Sequence, residues 1–100
     1  MDINVTNKDG NTALHLAAEN RFVENVKFLI ANKANVNALN AKGQSPIFNI
    51  VSVRSSNAES IEVIKLLVDN GADLKIVDKD KKTLQSYAFA KDVKKFFNWE

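Results

Sequence analysis

The sequence predicts an all-α protein made of about three stacked helix–turn–helix repeats that are separated by finger-like loops. The segment DGNTALHLAA at 9–18 returns as KGQSPIFNIV at 42–51, an offset of 33 residues (Gly10 to Gly43). The segment VKFLIANKANVN at 26–37 returns as IKLLVDNGADLK at 64–75, an offset of 38 residues. A fixed period in this range is typical of stacked units that cannot bury their apolar faces alone.

The recurring segments resemble the ankyrin-repeat family, whose pattern Gly-x-Thr-Pro/Ala-Leu-His-x-Ala-Ala is followed, after a second helix, by Gly-Ala-Asp-Val-Asn. The resemblance covers nearly the whole chain. It is strong in repeat one, about 5–37, and in repeat two, about 38–75. It is weak in a degenerate C-terminal capping repeat, about 76–100, where Lys81 replaces the turn glycine and Gln85 replaces the leucine.

The resemblance implies one domain over residues 1–100, an ankyrin-repeat solenoid with β-hairpin-like finger loops. In that fold the fingers and the first helices line a concave side. In the same family, the histidine of the motif bonds to the backbone of neighbouring turns and organises the stack. His15 stands at this position in repeat one, and Phe48 replaces it in repeat two.

Repeat one should contain a finger and two helices. Gly10 is free to adopt a positive φ in the finger, and Thr12 is a good N-cap for the first helix. We expect this helix at about 13–20, because its apolar residues have helical spacing. A second helix, at about 22–31, should bury its apolar side chains, which are Phe22, Val23, Val26, Leu29 and Ile30.

Repeat two should follow the same plan, with Ser45 as the cap and Pro46 at the first helical position. Its helices are expected at about 46–53 and 58–69. The five extra residues of the second offset fall near 53–58, where small polar residues lack an apolar period. We interpret them as tolerated slack, because lengthening a surface loop costs little free energy. The alternative is that these extra residues form a contact that distinguishes this protein.

Repeat three offers one short helix at about 84–90 and another at about 92–97. The aromatic residues that close the chain should include at least one that folds back and seals the core. The alternative is that Trp99 is an exposed anchor for a partner. The aromatic residues are Phe96, Phe97 and Trp99.

Two positions bear on the ends of the stack. Asn25 is in register with Val63, a site that the family keeps apolar in internal repeats, so we expect nothing to precede repeat one. The last helix carries lysines, as a solvent-facing cap requires, namely Lys91, Lys94 and Lys95. We expect a monomer with two caps; a piece excised from a longer array is the alternative.

The composition fits a small soluble domain. The chain has 100 residues, 45% of them hydrophobic, and it has no cysteine, which excludes disulfides and thiolate metal sites. Neither a signal peptide nor an apolar run of roughly 18 residues is recognisable, so we expect a cytoplasmic protein that does not enter a membrane. A net charge of +2 is too small to indicate nucleic-acid binding.

No residue pattern indicates catalysis. His15 is the only histidine, and it lacks the further ligands of a metal site and the nucleophile of a catalytic pair. Gly10 and Gly43 stand alone, outside any phosphate-binding motif. We therefore expect no enzyme activity and no cofactor.

The candidate binding residues lie at the finger tips. Each tip presents a lysine, and Lys81 adds to this mildly basic ridge, so a protein partner should have an acidic surface. Glu19 and Asn20, together with Ser52 and Val53, are expected to flank the groove beside the fingers. The tip residues are Lys8, Asp9, Asn11, Ala41, Lys42, Gln44, Lys79, Asp80 and Lys82.

The predicted function is that of a non-enzymatic module that binds another protein through its finger loops and concave helix face. Binding residues concentrate on loops that a rigid scaffold holds. The alternative is a structural segment of a larger ankyrin-array scaffold, or of a host-directed effector whose activity lies elsewhere.

Overall fold

The computed structural model describes residues 3–53 and 55–99, and within them it contains five α-helices and one short 3₁₀ helix. The first four α-helices confirm the predicted elements to within two residues. The helices are α1 (Ala13–Glu19), α2 (Val23–Ala31), α3 (Pro46–Val51), α4 (Ala58–Asp69) and α5 (Lys91–Phe97), with the 3₁₀ helix at Gln85–Tyr87.

The helices form antiparallel pairs that stack along the chain. Helix α1 packs against α2 and α3, α2 and α3 each pack against α4, and α5 packs against α4. The core lies between the pairs, where large apolar side chains from successive repeats are fully buried. They include Leu14, Val26, Ile47, Phe48, Ile64 and Leu67.

The two predicted N-caps behave differently. The Thr12 hydroxyl accepts a hydrogen bond from the His15 amide at the start of α1, as predicted. Ser45 is the N-cap residue of α3, as predicted, but its hydroxyl makes no capping bond. The physical reason is that the Phe48 amide donates to the Ser45 carbonyl oxygen at 3.0 Å instead.

Repeat three departs from the predicted helix at 84–90, of which only the 3₁₀ turn forms. Leu84 and Ala88 are buried, whereas Gln85, which stands at the leucine position of the motif, is exposed. Leu84 is the only large side chain that is fully buried in this segment, and the buried Ala88 and Ala90 add little apolar surface to sustain a longer helix. The hydroxyl of Tyr87 donates to the Asp78 carboxylate, which ties this turn to the third finger. The three fingers are the loops at 7–11, 40–44 and 78–82.

The insertion contacts the repeats on both sides. The Arg21 guanidinium donates to the Ser55 carbonyl oxygen at 2.8 Å, and the Ser56 hydroxyl donates to the Asp92 carboxylate of α5. The sequence suggested that the insertion is only tolerated extra loop length. In the structure it instead bridges repeats one and three. Arg54 lies outside the described residues.

The aromatic C-terminus seals the core as predicted. The rings of Phe97 and Trp99 stack with centroids 4.4 Å apart, and both pack against the core of the stack. Phe96 contacts Phe97 edge-to-face and stays 38% exposed.

The outer face of repeat one is more apolar than the polar Asn25 suggested. Asn25 is exposed, but it lies beside Leu16, Phe22 and Phe28, whose side chains are 40%, 55% and 65% exposed. The prediction that Phe22 is buried in α2 was therefore wrong. Its burial would need a further layer of residues on this side of α1 and α2.

Candidate functional site

Each of the three fingers is organised by one polar side chain at the same register position. The Oδ1 atoms of Asn7, Asn40 and Asp78 each accept hydrogen bonds from the backbone amides two and four residues later, at 2.9 to 3.1 Å. These bonds fix a tight turn before each first helix. The sequence predicted the first of these turns, at 7–10. The matching roles of Asn40 and Asp78 were missed, although the offsets of 33 and 38 match those of the repeats.

The backbones of the fingers are bonded to one another. The Ala41 amide donates to the Asp9 carbonyl oxygen, and the Lys79 amide donates to the Lys42 carbonyl oxygen, both at 3.0 Å. Gly10 permits the first contact, because its φ is +77° and a Cβ atom there would lie 2.6 Å from the Ala41 nitrogen. The tips therefore form one continuous ridge.

His15 joins the first repeat to the second. Its ring is fully buried; Nε2 bonds to the Gln44 carbonyl oxygen at 2.9 Å, and Nδ1 accepts from the Thr12 amide at 3.0 Å. These partners select the neutral tautomer with its hydrogen on Nε2. Burial lowers the pKa of His15, and hydrogen bonds to the backbone of Gln44 and Ala38 partly oppose this effect. The geometry fits the structural role that the resemblance implied.

Asp78 links finger three to finger two. Its buried carboxylate accepts from the Gln44 side-chain amide at 2.9 Å and from the Tyr87 hydroxyl. The bond from Tyr87, followed by the one from Gln44, lowers the pKa of Asp78 to about 2, while the carboxylate raises the pKa of Tyr87. The Lys82 ammonium lies 5.8 Å from the centre of the Tyr87 ring.

A groove of about 370 Å³ opens between fingers one and two and helices α1 and α3. It brings together six of the eleven predicted binding residues and also Ser52. Two further lining residues, Asn40 and Asn49, were missed, although both stand in segments that the family resemblance placed on the concave side. The predicted residues in the groove are Asp9, Asn11, Glu19, Ala41, Lys42 and Gln44.

The other predicted residues lie outside the lining of this groove. Four of them are exposed on the fingers, namely Lys8, Lys79, Asp80 and Lys82. Asn20 instead lines the outer face of repeat one, where its side-chain amide donates to the Leu16 carbonyl oxygen at 2.8 Å. Val53 is partly buried and packs against the core.

The outer face of repeat one holds a second concavity, of about 320 Å³. We call it the outer apolar face. Its lining is largely apolar and comes from both helices of the first pair. The residues are Ala13, Leu16, Ala17, Asn20, Phe22, Asn25, Phe28 and Leu29.

Stacked helix pairs with bonded fingers and a polar groove on one side define a repeat-stack scaffold. A sequence profile of ankyrin repeats, in three copies, matches residues 1–80. The chain belongs to the ankyrin-repeat family. Ankyrin repeats generally mediate contacts between proteins, and the family is typically non-enzymatic.

Several curated proteins are similar in sequence to this chain. Rabankyrin-5 of Mus musculus is 37% identical over 83 residues, which is 83% of this chain and 7% of the relative. A putative ankyrin repeat protein of Acanthamoeba polyphaga mimivirus is 31% identical over 77 residues, 76% of this chain and 7% of that protein. Alpha-latroinsectotoxin-Lt1a of Latrodectus tredecimguttatus is 47% identical over 47 residues, 47% of this chain and 3% of that protein. The chain thus spans less than a tenth of the length of these relatives.

Among residues 3–53 and 55–99, no helix combines the length and the apolar character that a membrane span needs. The same residues contain no group of three or more histidine, cysteine or acidic side chains arranged to hold a metal ion.

Proposed function

We propose that the chain is a non-enzymatic module that binds another protein through its finger tips and the adjacent groove. The observation that carries this proposal is the rigid ridge of fingers, in which backbone hydrogen bonds join the Ala41 amide to Asp9 and the Lys79 amide to Lys42. A surface that is already ordered loses little conformational entropy on binding. The tips then offer their exposed side chains to a partner.

The charge of the ridge favours an acidic partner surface. The tips carry five lysines and two aspartates, Asp9 and Asp80. The ion pairs found between described residues both involve Lys27 of α2, so the tip lysines are not neutralised within the described part of the chain. Charge complementarity of this kind speeds association and selects the partner. The tip lysines are Lys8, Lys42, Lys79, Lys81 and Lys82.

The experiment that tests this proposal is a charge reversal at the tips. We expect the triple variant Lys8→Glu/Lys42→Glu/Lys79→Glu to lose capture of its protein partner from a lysate of cells expressing the chain. The control reverses three lysines on α4 and α5, away from the fingers, and should retain it. Equal capture by the two variants would overturn the proposal. The control is Lys65→Glu/Lys91→Glu/Lys95→Glu.

We also propose that the module acts as a monomer in the cytoplasm, a setting that fits a chain without cysteine. A protein partner is favoured over nucleic acid, because the tip lysines are interspersed with aspartates and no aromatic residue stands among them.

The second candidate function is structural and is favoured by the outer apolar face. Leu16, Phe22 and Phe28 expose a contiguous apolar surface, and such a surface marks an interaction site. In this alternative the outer apolar face packs on another folded unit of a larger ankyrin-array scaffold. Sedimentation over a range of protein concentrations distinguishes the two candidate functions. An independent binding module should stay monomeric. A scaffold segment should self-associate, and replacing Phe22 and Phe28 by serine should abolish that association.

A further inference from the structure

The groove between fingers one and two differs in charge from the finger tips. Its lining contains two carboxylates, Asp9 and Glu19, against one ammonium, Lys42. The remaining polar groups are neutral amides and one hydroxyl. The walls of the groove are therefore acidic, although the ridge above them is basic.

Three of the four side-chain amides that line the groove already donate a hydrogen bond within the protein. The Asn40 side-chain amide donates to Asn11 at 2.9 Å, and the Gln44 amide donates to Asp78 at 2.9 Å. The Asn49 amide donates to Glu19 at 3.3 Å. These three NH₂ groups have partners before any ligand arrives.

The carboxylate acceptors of the groove are largely unused. Glu19 accepts only the 3.3 Å bond from Asn49, and neither Glu19 nor Asp9 belongs to an ion pair within residues 3–53 and 55–99. The groove thus offers acceptors and negative charge to a ligand that brings donors.

We propose, resting on the proposed function, that this groove receives an arginine side chain of the protein partner, between Glu19 and Asp9. A guanidinium is always charged, carries five N–H donors in a plane and pairs with a carboxylate through two parallel bonds. A volume of about 370 Å³ is in the range of a ligand-binding cleft and accommodates the side chain together with flanking backbone. Lys42 at the rim then favours an acidic residue next to that arginine.

The test uses three pentapeptides of the form Gly-Ser-X-Ser-Gly, where X is arginine, citrulline or glutamate. Citrulline matches arginine in shape and lacks its charge. Each peptide is titrated into the ¹⁵N-labelled chain, and the side-chain NH₂ signals of Asn11, Asn40, Gln44 and Asn49 are followed. We expect saturable shifts of these signals with the arginine peptide, about tenfold weaker binding of the citrulline peptide, and no groove shifts with the glutamate peptide.

Two matched variants complete the test. Glu19→Gln removes one of the two carboxylates of the groove and should weaken the arginine peptide about tenfold. Glu62→Gln removes an exposed carboxylate that contacts Lys27 on the helix side and should leave the affinity unchanged. Binding of the glutamate or citrulline peptide as tight as that of the arginine peptide, shifts confined to the outer apolar face, an unaffected Glu19→Gln variant, or no shifts at all would each overturn the inference.

The failure of this inference is distinguishable from that of the proposed function. If the lysine reversals abolish partner capture while the arginine peptide does not bind, the module binds its partner through the tips and only the arginine site is wrong. If both results are negative, the proposed function fails as well.

Discussion

The Nε2 atom of His15 lies 2.9 Å from the carbonyl oxygen of Gln44, a residue 29 positions further along the chain. The bond connects the start of α1 to the second finger, and Gln44 also lines the groove. The other ring nitrogen accepts from the Thr12 amide. One buried side chain therefore fixes the first finger, the second finger and one wall of the candidate site.

We predict that His15→Phe lowers the free energy of unfolding by about 2 to 4 kcal/mol, even though the apolar volume is kept. The variant leaves the buried Thr12 amide without its partner, at about 1 to 3 kcal/mol. It also removes one of the two hydrogen bonds to the Gln44 carbonyl oxygen, which keeps the bond from the Asn40 amide at 2.9 Å, and this loss adds about 1 kcal/mol. Urea unfolding followed by circular dichroism measures the change. A variant as stable as the wild type would show that the ring acts through packing alone.

The lowered pKa of His15 predicts a stability that falls on mild acidification. Folding favours the neutral ring, so its contribution is complete above the ordinary pKa of 6.5 and is lost as the pH falls from there through the folded-state pKa. Thermal melting between pH 7 and pH 5 should show this slope in the wild type. Because the chain has only one histidine, the slope should shrink in His15→Phe; equal slopes would contradict the account.

Replacing the two N-cap residues by alanine should change the free energy of unfolding differently. Thr12→Ala removes a capping bond and should cost about 1 kcal/mol. Ser45→Ala removes a buried hydroxyl that has no partner, so the free energy of unfolding should stay unchanged or rise slightly. Equal losses in urea unfolding would mean that Ser45 caps α3 in solution.

Two lysines occupy turn positions that favour glycine. Lys33 has φ +69° at the position in register with Gly71, and Lys81 has φ +61° at the position in register with Gly43. We predict that Lys33→Gly and Lys81→Gly each stabilise the fold by about 0.5 to 1 kcal/mol, the relief of left-handed strain less the greater freedom of glycine in the unfolded chain. A loss of stability in both variants would show that the backbone is not strained at Lys33 and Lys81.

Replacing a turn glycine by alanine is the control for the two lysine-to-glycine variants. Gly10→Ala should destabilise more than Gly71→Ala, because a Cβ atom at Gly10 would meet the Ala41 nitrogen at 2.6 Å, whereas nothing lies within 4 Å of one at Gly71. The same urea unfolding experiment ranks the two variants.

The helix pairs were predictable from sequence because the recurrence aligns capping and apolar positions across repeats. The residues 9–18 and 26–37 place α1 and α2, and their copies place α3 and α4 with the same spacing. The polar residues Asn7, Asn40 and Asp78 recur with the same offsets, so the turns of the fingers were predictable from the same pattern.

Other features depend on contacts that a repeat pattern does not encode. Phe22 has the apolar character of a core residue, and its exposure depends on what covers the outer apolar face. Leu84 is buried, whereas Gln85, at the leucine position of the pattern, is exposed. The turn that contains them is tied to the third finger by the bond from Tyr87 to Asp78. The acidic character of the groove depends on which amides already have partners, and only the folded arrangement determines that.

The measurement that tests the central claim most directly is a map of amide chemical shifts of the ¹⁵N-labelled chain on binding the captured partner. The account predicts that the perturbed signals concentrate at the three finger tips and along the groove, with Asp9, Lys42 and Gln44 among them. Perturbations centred on Phe22 and Phe28 of the outer apolar face, with the fingers unchanged, would contradict it.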